Sequence, residues 1–437
     1  IFCRYLGIIC FLGGIDMVYY EVMEERGKAL YHANFKLQNS SRRWYQHDID
    51  TIIYSDAFRK MQRKAQLLSI SDPISRSRLV HTFEVVRIAK EISEKLGINT
   101  ELTEAIALSH DFGNVAYGKI SELFLNEQTQ GLFKHEEASA LMLKLFASRP
   151  VPDAYRNKAK KEIDGDFDNL HTIDIDAFPK QLHVFERKRS CFFICISPEV
   201  LDGVEKHGTE QVADTLEGQV VNYADNIAYL IQDINDFQKT GIFTAEDNSR
   251  YERLLSDLQE AKKTNYPVSD IVGKTTSIRT AALIERFVDH NKGYRHSTEL
   301  KTRYSKTLMT DIPVFEIDTI TKKAIDRCWE FKSEYYDTEP IKSFNIMVKA
   351  KMEMLWSILD DNSEFVEKNS SYRDFGRTLE LPIFKSFKKS KKIGDDDWKA
   401  WKKAFFIAQL TCDEIDLIIR SFLERDYVFH LSLPSLR

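Results

Sequence analysis

The chain has 437 residues and a formal net charge of −5, with 43% hydrophobic and 30% charged residues. This composition is typical of a globular protein with a large apolar core, and the length allows two or three domains. The small net charge gives no general reason to expect nucleic acid or a membrane surface as a partner. The six cysteines are too few and too scattered for a disulfide framework, which fits a cytoplasmic protein.

The first sixteen residues are apolar and imitate a signal sequence or a membrane anchor. The run is short for a helix that crosses a bilayer, and no small-residue cleavage site follows it. We expect an N-terminal extension over residues 1–23, which is either a buried segment or the end of a longer upstream part. We expect no membrane-spanning segment elsewhere in the chain.

A long amphipathic helix is predicted to begin near Ser77. Its apolar residues recur at three- and four-residue spacing, and Gly97 is typical of the residue that ends a helix. The helix carries one histidine, His81. A single histidine on an apolar helix is often a buried core residue, so His81 does not define a site by itself.

A second helix is predicted to begin near Thr100 and to end on the adjacent His110 and Asp111, just before Gly113. An imidazole and a carboxylate are ordinary ligands of divalent and transition metals. Neighbouring residues on a helix project about 100° apart, so both side chains reach one ion most easily where the helix ends. The pair is therefore a candidate metal-binding pair.

A third helix, predicted for residues 217–238, carries two acids and a phenol in one row. Asp225, Tyr229 and Asp233 lie four residues apart, beside an apolar stripe. Buried carboxylates need partners or a metal. Either a bound ligand or ion pairs with Lys or Arg side chains explain such a row, and both interpretations stay open.

The order His81, His110-Asp111, Asp225 resembles the H…HD…D signature of the HD-domain metal-dependent phosphohydrolases. More narrowly, the chain is similar to the deoxyguanosine triphosphate triphosphohydrolase family and its vertebrate relative, the SAM-and-HD-domain dNTPase. Supporting segments occur in the family's order over roughly residues 26–243. They include DIDTIIYSDAFRKMQRKAQLL, RSRLVHTFEVVRIA, LTEAIALSHDFGN, HEEASALML and ISPEVLDGVEKHG.

The resemblance implies a mostly all-α fold, with an HD-type helical core at residues 24–243 and a C-terminal helical extension at residues 244–437. It implies hydrolysis of a deoxynucleoside triphosphate, dGTP or another dNTP, to deoxynucleoside and triphosphate. Related enzymes are commonly hexamers or tetramers, so we expect a homo-oligomer.

The resemblance also implies one divalent metal in each site. Mixed nitrogen and oxygen ligands suit Mn, Fe, Zn, Co or Ni, and Mg is compatible with them. The sequence does not choose among these metals. The implied ligands are His81, His110, Asp111 and Asp225.

Four positions match the family's substrate-binding residues. The resemblance implies that Gln66 lies near the sugar and Arg78 near the phosphates, and that Tyr229 and Asp233 lie beside the sugar. Arg78 also precedes His81 by three residues, so it lies one helical turn away on the same face, where its guanidinium can clamp a phosphate oxygen. A surface salt bridge is the alternative for Arg78.

One position departs from the family, in which a catalytic His is followed three residues later by Glu or Asp. Glu122 matches the acid, but Lys119 stands where the His is expected. A histidine exchanges a proton near neutral pH, whereas a lysine ammonium does so only if burial lowers its pKa considerably. Lys119 and Glu122 are also spaced for a simple ion pair.

His135 resembles a further histidine near the active site of the vertebrate relative, and could supply the proton that Lys119 does not. A cap-region or surface histidine is the alternative. We therefore predict catalytic roles for Glu122, Lys119 and His135. Two other functions stay open: a catalytically weak or inactive nucleotide-binding sensor within an oligomer, and an HD phosphohydrolase for another nucleotide.

Two segments lack a sustained helical period. Residues 148–189 predict a connecting excursion, such as a short hairpin or a small lobe. Residues 362–397 are the most linker-like part and contain the basic run KSFKKSKK. Such a run with one Phe is compatible with binding of single-stranded nucleic acid, and a solvated flexible loop is the simpler interpretation.

Overall fold

The structure is a computed structural model. It describes residues 44–66, 76–150, 171–174, 181–187, 190–239, 276–293, 314–361, 368–424 and the single positions 246, 249, 365 and 431. The predicted N-terminal extension, with its apolar run, lies outside the described residues. Among the described helices, none combines the length and apolar character that crossing a bilayer requires.

Helices form most of the described chain, which confirms the mostly α-helical class. A single 3₁₀ turn at Met61–Arg63 follows the second helix. The helices are α1 Trp44–Ile53, α2 Asp56–Lys60, α3 Arg78–Leu96, α4 Thr100–Ser109, α5 Lys119–Gln128, α6 His135–Phe146, α7 Pro198–Lys206, α8 Leu216–Lys239, α9 Thr276–Asn291, α10 Thr319–Tyr336, α11 Glu339–Asp361, α12 Ser370–Thr378, α13 Pro382–Ser390, α14 Asp395–Ala408 and α15 Cys412–Glu424.

A small antiparallel sheet lies in the segment that was predicted as a hairpin or small lobe. Its strands are β1 Ser148–Pro150, β2 His171–Asp174, β3 Gln181–Arg187 and β4 Ser190–Ile194, in the spatial order β1-β4-β3-β2. Strands β3 and β4 form a hairpin. Apart from an isolated bridge between Ala65 and Ser77, the sheet is the one departure from an all-α fold in the described part of the chain.

The chain divides into two compact units that interleave along the sequence. The first unit takes its described residues from within 83–107 and 206–342, and the second from within 26–82, 108–205 and 343–437. Within the second unit, the described residues from 343 onward are grouped with the region around His110 and Asp111. The consecutive domains that the sequence predicted, which meet at residues 243 and 244, stay a prediction.

The segment at residues 362–397, which the sequence predicted as linker-like, contains α12 and α13. The ring of Phe384 lies 5.3 Å from that of Phe405, and the ring of Phe387 lies 4.8 Å from that of Trp401. Pro382 opens α13 at a position where a missing N–H costs nothing. The described residues of this segment from 368 onward are therefore mostly helical, and aromatic side chains anchor the basic helix α13.

In the first unit, α8 packs against α9 and α10. The rings of Tyr223 and Phe287 stack with centroids 3.8 Å apart. Arg286 pairs with Asp318 at 2.6 Å. These contacts fix the helix that carries the predicted row of acids.

Candidate metal centre

The start of α3 brings two of the predicted site residues into one helical turn. Arg78 is the first residue of the helix, and its backbone N–H donates to the carbonyl of Lys64 over 2.9 Å. The neighbouring residues Ala65 and Ser77 form an antiparallel bridge. His81 follows one turn later and is buried. Arg78 and His81 therefore lie on the same face, as their spacing predicts.

Helix α4 ends at Ser109, so the His-Asp pair lies just beyond the helix, whereas the sequence predicted the pair on its last residues. The chain then forms a tight turn, in which the N–H of Phe112 donates to Ser109 and that of Asn114 to Asp111. Both His110 and Asp111 are buried. We call residues 110–114 the ligand turn.

The two imidazole rings and the Asp111 carboxylate face one another. The ring centroids of His81 and His110 are 5.7 Å apart. Oδ2 of Asp111 lies 3.7 Å from Nε2 of His81 and 3.5 Å from Nε2 of His110. These distances exceed the usual range of a hydrogen bond. They suit ligands of one ion, because tetrahedral ligands about 2.1 Å from a metal lie about 3.4 Å from one another.

The donor set therefore fits a divalent metal such as those expected from the sequence, since two imidazoles and a carboxylate serve zinc, iron, cobalt, nickel and manganese alike. Three of the four predicted ligands are thus close together, in the second compact unit. The fourth, Asp225, lies on α8 in the first unit and is partly buried. Its role as a ligand stays a prediction.

Two side chains orient the Asp111 carboxylate. A guanidinium nitrogen of Arg78 donates to Oδ2 over 3.0 Å, and the amide of Asn114 donates to Oδ1 through a short hydrogen bond. Arg78 keeps further N–H donors, because a guanidinium carries five of them. It lies where those donors can reach an anion beside the two imidazoles.

Gly113 allows the ligand turn to lie directly against α6. Its N–H donates to Oγ of Ser139 over 2.8 Å. A Cβ added at this position would lie 2.3 Å from the carbonyl oxygen of His135 and 2.5 Å from the backbone nitrogen of Ser139. No larger residue fits without movement of the backbone, so the turn and α6 are held together.

Beside this turn, His135 and Glu122 form a partly buried ion pair. Nδ1 of His135 donates to Oε1 of Glu122 over 2.7 Å. Burial lowers the pKa of His135, but the Glu122 carboxylate, with smaller contributions from Glu136 and Asp111, outweighs burial and raises the pKa to about 9. Burial raises the pKa of Glu122, yet His135 and then Lys119 outweigh it and hold that pKa well below its usual value. The pair is therefore ionised at neutral pH.

Lys119 forms the simple ion pair that its spacing allows. Its ammonium lies 2.8 Å from Oε2 of Glu122, and its side chain is 61% exposed. Such exposure gives the ammonium an aqueous environment.

Asp233, predicted to lie beside the sugar, is engaged with α10 in the first unit. Its carboxylate accepts from Lys332 over 2.7 Å, and both side chains are 0% exposed. The Lys332 ammonium lies 3.1 Å from the centroid of the Tyr229 ring, and the Tyr229 hydroxyl lies 3.2 Å from that of Tyr336. Asp233 thus adopts the ion pair that the sequence left open as an alternative. Roles of Tyr229 and Asp233 at a sugar stay predictions.

Gln66 is the remaining predicted substrate residue. Gln66 is only 4% exposed. Neither Oε1 nor Nε2 of its side-chain amide has a hydrogen-bond partner among the residues that the structure describes. Its backbone N–H donates to Arg76. A buried amide normally has partners, so this side chain is a candidate for binding a ligand.

Sequence reasoning missed three residues that shape these surroundings: Lys64, Ser139 and Lys332. Each is buried. Lys64 stands in a polar, Arg-rich segment, and nothing in its local pattern separates it from its exposed neighbours. Lys332 lies three residues after Trp329 and four before Tyr336, on the apolar spacing of α10, but a lysine by itself does not indicate a buried position. A buried position for either lysine follows from contacts that are distant in sequence.

Comparison with known proteins agrees with this geometry. Residues 78–230 match the HD domain family model. A deoxyguanosinetriphosphate triphosphohydrolase-like protein of Caldanaerobacter subterraneus subsp. tengcongensis is 31% identical over 250 residues, which are 57% of this chain and 60% of the relative. Proteins of the same description from Clostridium perfringens and Geobacter metallireducens are 34% and 30% identical, over 52% and 56% of this chain and 56% and 57% of theirs.

The chain thus spans between 56% and 60% of the length of these curated relatives. The matched family region includes all four predicted metal ligands, together with Arg78, Lys119, Glu122 and His135. Residues 78–230 are thus similar to the HD domain family, and about half of the chain is similar to deoxyguanosinetriphosphate triphosphohydrolase-like proteins.

Proposed function

We propose that this protein is a metal-dependent phosphohydrolase that converts a deoxynucleoside triphosphate to deoxynucleoside and intact triphosphate. The observation that carries the proposal is the buried cluster of His81, His110 and Asp111, whose nitrogen and oxygen atoms are spaced as ligands of one ion. The HD domain match and the names of the relatives support the substrate class.

We propose Asp225 as the fourth ligand, because its place in the order of ligands matches the family signature. A divalent ion held by these residues supplies Lewis-acid activation of a phosphoryl group and of water. Replacement of Asp225 by Ala then weakens metal binding, whereas Asp374→Asn, at an exposed acid in a surface pair, leaves it unchanged. Equal metal content in both variants contradicts this assignment.

Arg78 and Gln66 bind the substrate in this proposal. The free donors of the Arg78 guanidinium neutralise phosphate oxygens, and a planar fork suits a phosphate better than a single ammonium does. The buried Gln66 amide gains from the substrate the hydrogen bonds that the described protein residues do not provide. Tyr229 and Asp233 contact the sugar only if Lys332 moves away from the Asp233 carboxylate and the Tyr229 ring.

His135 and Glu122 handle the proton. With Nδ1 donating to Glu122, the imidazolium carries its second proton at Nε2. A pKa of about 9 keeps that proton in place at neutral pH, which suits a general acid that protonates a leaving oxygen. Glu122 is the positioning partner, and Lys119 adds positive charge on its exposed side.

A product assay tests the proposal. Protein loaded with Mn²⁺ is incubated with each of the four dNTPs and with GTP, and the products are separated by ion-exchange chromatography. The proposal predicts deoxynucleoside and triphosphate in equal amounts from at least one dNTP. Release of orthophosphate or pyrophosphate instead contradicts it. Asp111→Asn is the inactive variant, and Asp374→Asn is the matched control.

One observation favours a second candidate, a nucleotide-binding sensor with little turnover. Lys119 stands at the position of the family's catalytic His, and its ammonium is exposed and paired with Glu122. Lys119→His separates the two candidates. If the native protein binds dNTPs without turnover and Lys119→His turns them over, the sensor function holds. If the native protein is active and Lys119→Met stays active, His135 carries the proton and the enzyme function holds.

A further inference from the structure

Lys64 is a buried lysine outside the predicted site. It is 1% exposed, and burial lowers the pKa of its ammonium to about 7. A buried ammonium is costly unless its N–H groups are hydrogen-bonded. Lys64 meets this need with backbone carbonyls: its Nζ donates to Asn114 over 2.6 Å, to Ala408 over 2.8 Å and to Phe112 over 3.4 Å.

Two of these acceptors belong to the ligand turn. Phe112 and Asn114 flank Gly113, and the side chain of Asn114 in turn donates to Asp111. The carbonyls of Phe112 and Asn114 therefore belong to the same short backbone segment as the Asp111 carboxylate. A donor that binds both carbonyls restricts that backbone directly.

The third acceptor lies at the end of α14. Ala408 is the last residue of that helix, and the last carbonyls of a helix have no partner within it. They also form the negative end of the helix dipole, which favours a cation. Lys64 thus connects the ligand turn to a helix end that is suited to an ammonium.

The chain around that helix end forms a rigid support, which we call the C-terminal corner (residues 408–416). Thr411 and Glu414 cap α15 reciprocally: the N–H of Thr411 donates to the Glu414 carboxylate, and the N–H of Glu414 donates to the Thr411 hydroxyl. The thiol of Cys412 lies 3.1 Å from the carbonyl of Ala116. The Tyr117 hydroxyl donates to Asp416 over 3.0 Å. The corner thus also contacts the chain just after the ligand turn.

A second lysine, Lys60, provides a comparison within the same structure. Its Nζ donates to the carbonyl of Gln409 over 2.9 Å and pairs with Glu414 at 2.9 Å. Burial lowers its pKa as well. Both lysines therefore bind the end of α14, and in each case burial disfavours the charged ammonium. Of the two, only Lys64 contacts the ligand turn, among the residues that the structure describes.

We propose that Lys64 is a positioning residue that fixes the ligand turn on the C-terminal corner and thereby sets the Asp111 carboxylate for metal binding. The proposal rests on the proposed metal centre. It assigns to the C-terminal region, at residues 408–416, a role in the site formed by the distant HD-type segments. Groups that orient metal ligands typically change metal affinity between 10- and 100-fold when they are removed.

Lys64→Met and Lys60→Met form the matched pair for the test, because each removes an ammonium and keeps an apolar stem. Binding of Mn²⁺ is measured by the electron paramagnetic resonance signal of the free ion. We expect Lys64→Met to weaken Mn²⁺ binding at least about tenfold and Lys60→Met to leave it near the native value. Hydrogen exchange of amides in the ligand turn is expected to accelerate in Lys64→Met alone.

Global stability is measured for both variants by urea unfolding, so that a general loss of stability is separated from a local effect. If Lys64→Met does not fold, Lys64→Gln replaces it, because an amide keeps a donor on a shorter stem. Mn²⁺ affinity and exchange rates equal to those of Lys60→Met overturn the proposal. If the native protein binds neither Mn²⁺ nor any of the other divalent ions named above, the metal centre itself fails, and the exchange rates alone decide whether Lys64 positions the turn.

Discussion

Two buried carboxylates, one in each compact unit, are satisfied in different ways. Asp233 is fully buried and accepts a hydrogen bond from Lys332 over 2.7 Å. Asp111 is buried as well, but its Oδ2 faces the imidazoles of His81 and His110 at 3.7 Å and 3.5 Å. Arg78 donates to the same oxygen over 3.0 Å.

The comparison shows that the neighbours of a buried acid, rather than its burial, separate a structural acid from a candidate metal ligand. The Asp233 carboxylate contacts an ammonium, which also lies over the Tyr229 ring. The Asp111 carboxylate binds Arg78 and Asn114, and its Oδ2 also faces the Nε2 atoms of two imidazoles at 3.5 Å and 3.7 Å. That spacing suits ligands of one cation.

The largest expected difference concerns metal binding. Asp111→Asn removes a ligand charge without a change of volume, so we expect metal affinity to fall by more than about 100-fold, beyond the usual effect of an outer residue, and hydrolysis to be lost. Asp233→Asn leaves metal affinity unchanged in the same titration. If Asp233→Asn also weakens metal binding, the two acids do not differ in the way proposed.

The next effect concerns the ion pair of Asp233 and Lys332. Lys332→Met leaves the Asp233 carboxylate buried without its ammonium, so we expect unfolding free energy to fall by about 3–5 kcal/mol. Lys342→Met is the control in the same unit, because Lys342 pairs with Asp337 at an exposed site, where pairs contribute about 0–1 kcal/mol. Urea unfolding compares the variants. A cost below that of the control shows that the pair is not structural.

The contact between the ligand turn and α6 is tested by Gly113→Ala. The new Cβ meets backbone atoms of His135 and Ser139, so we expect a loss of about 1–3 kcal/mol from overpacking, together with weaker metal binding. Gly376→Ala in α12 is the control, since its Cβ meets nothing within 4 Å and alanine is favoured in a helix. Equal stability of the two variants, measured by thermal unfolding, contradicts the close contact.

The smallest effect is a pH dependence of stability. The pKa of His135 is raised from 6.5 to about 9, so its contribution is complete below about pH 6.5 and is lost as pH rises to about 9. The lowered pKa of Glu122 adds stability above its ordinary pKa, which is lost in acid. The urea midpoint of unfolding, measured between pH 6 and pH 10, records the loss of the His135 contribution.

Glu122→Gln removes the charge that raises the pKa of His135, so the fall in stability between about pH 6.5 and pH 9 is expected to vanish. Lys119→Met is the matched control, because Lys119 is exposed and pairs with the same carboxylate. A slope that persists in Glu122→Gln assigns the titration to another group.

Local sequence signals predicted the parts of the site that depend on local structure. Gly97 ends α3 with a positive φ of 73°, and α4 ends directly before His110. Helical periodicity carries such boundaries because one helix face must be apolar. The convergence of His81 with His110 and Asp111 was predicted through the family resemblance rather than from spacing.

Other features depended on tertiary contacts that no local pattern encodes. The basic helix α13 resembled a linker because its lysines dominate its composition, while Phe384 and Phe387 fix it to Trp401 and Phe405. The partner of Asp233 lies about a hundred residues away on α10. Neither contact leaves a local signal, because side-chain partners that are distant in sequence are set by packing.

X-ray absorption of the Co²⁺-loaded protein tests the metal centre most directly. The account predicts scattering from two imidazole rings with nitrogen atoms at about 2.1 Å, reduced to one ring in His110→Ala. A native spectrum with no imidazole ligand, or one that His110→Ala leaves unchanged, contradicts the assignment of His81, His110 and Asp111 as ligands of a single ion.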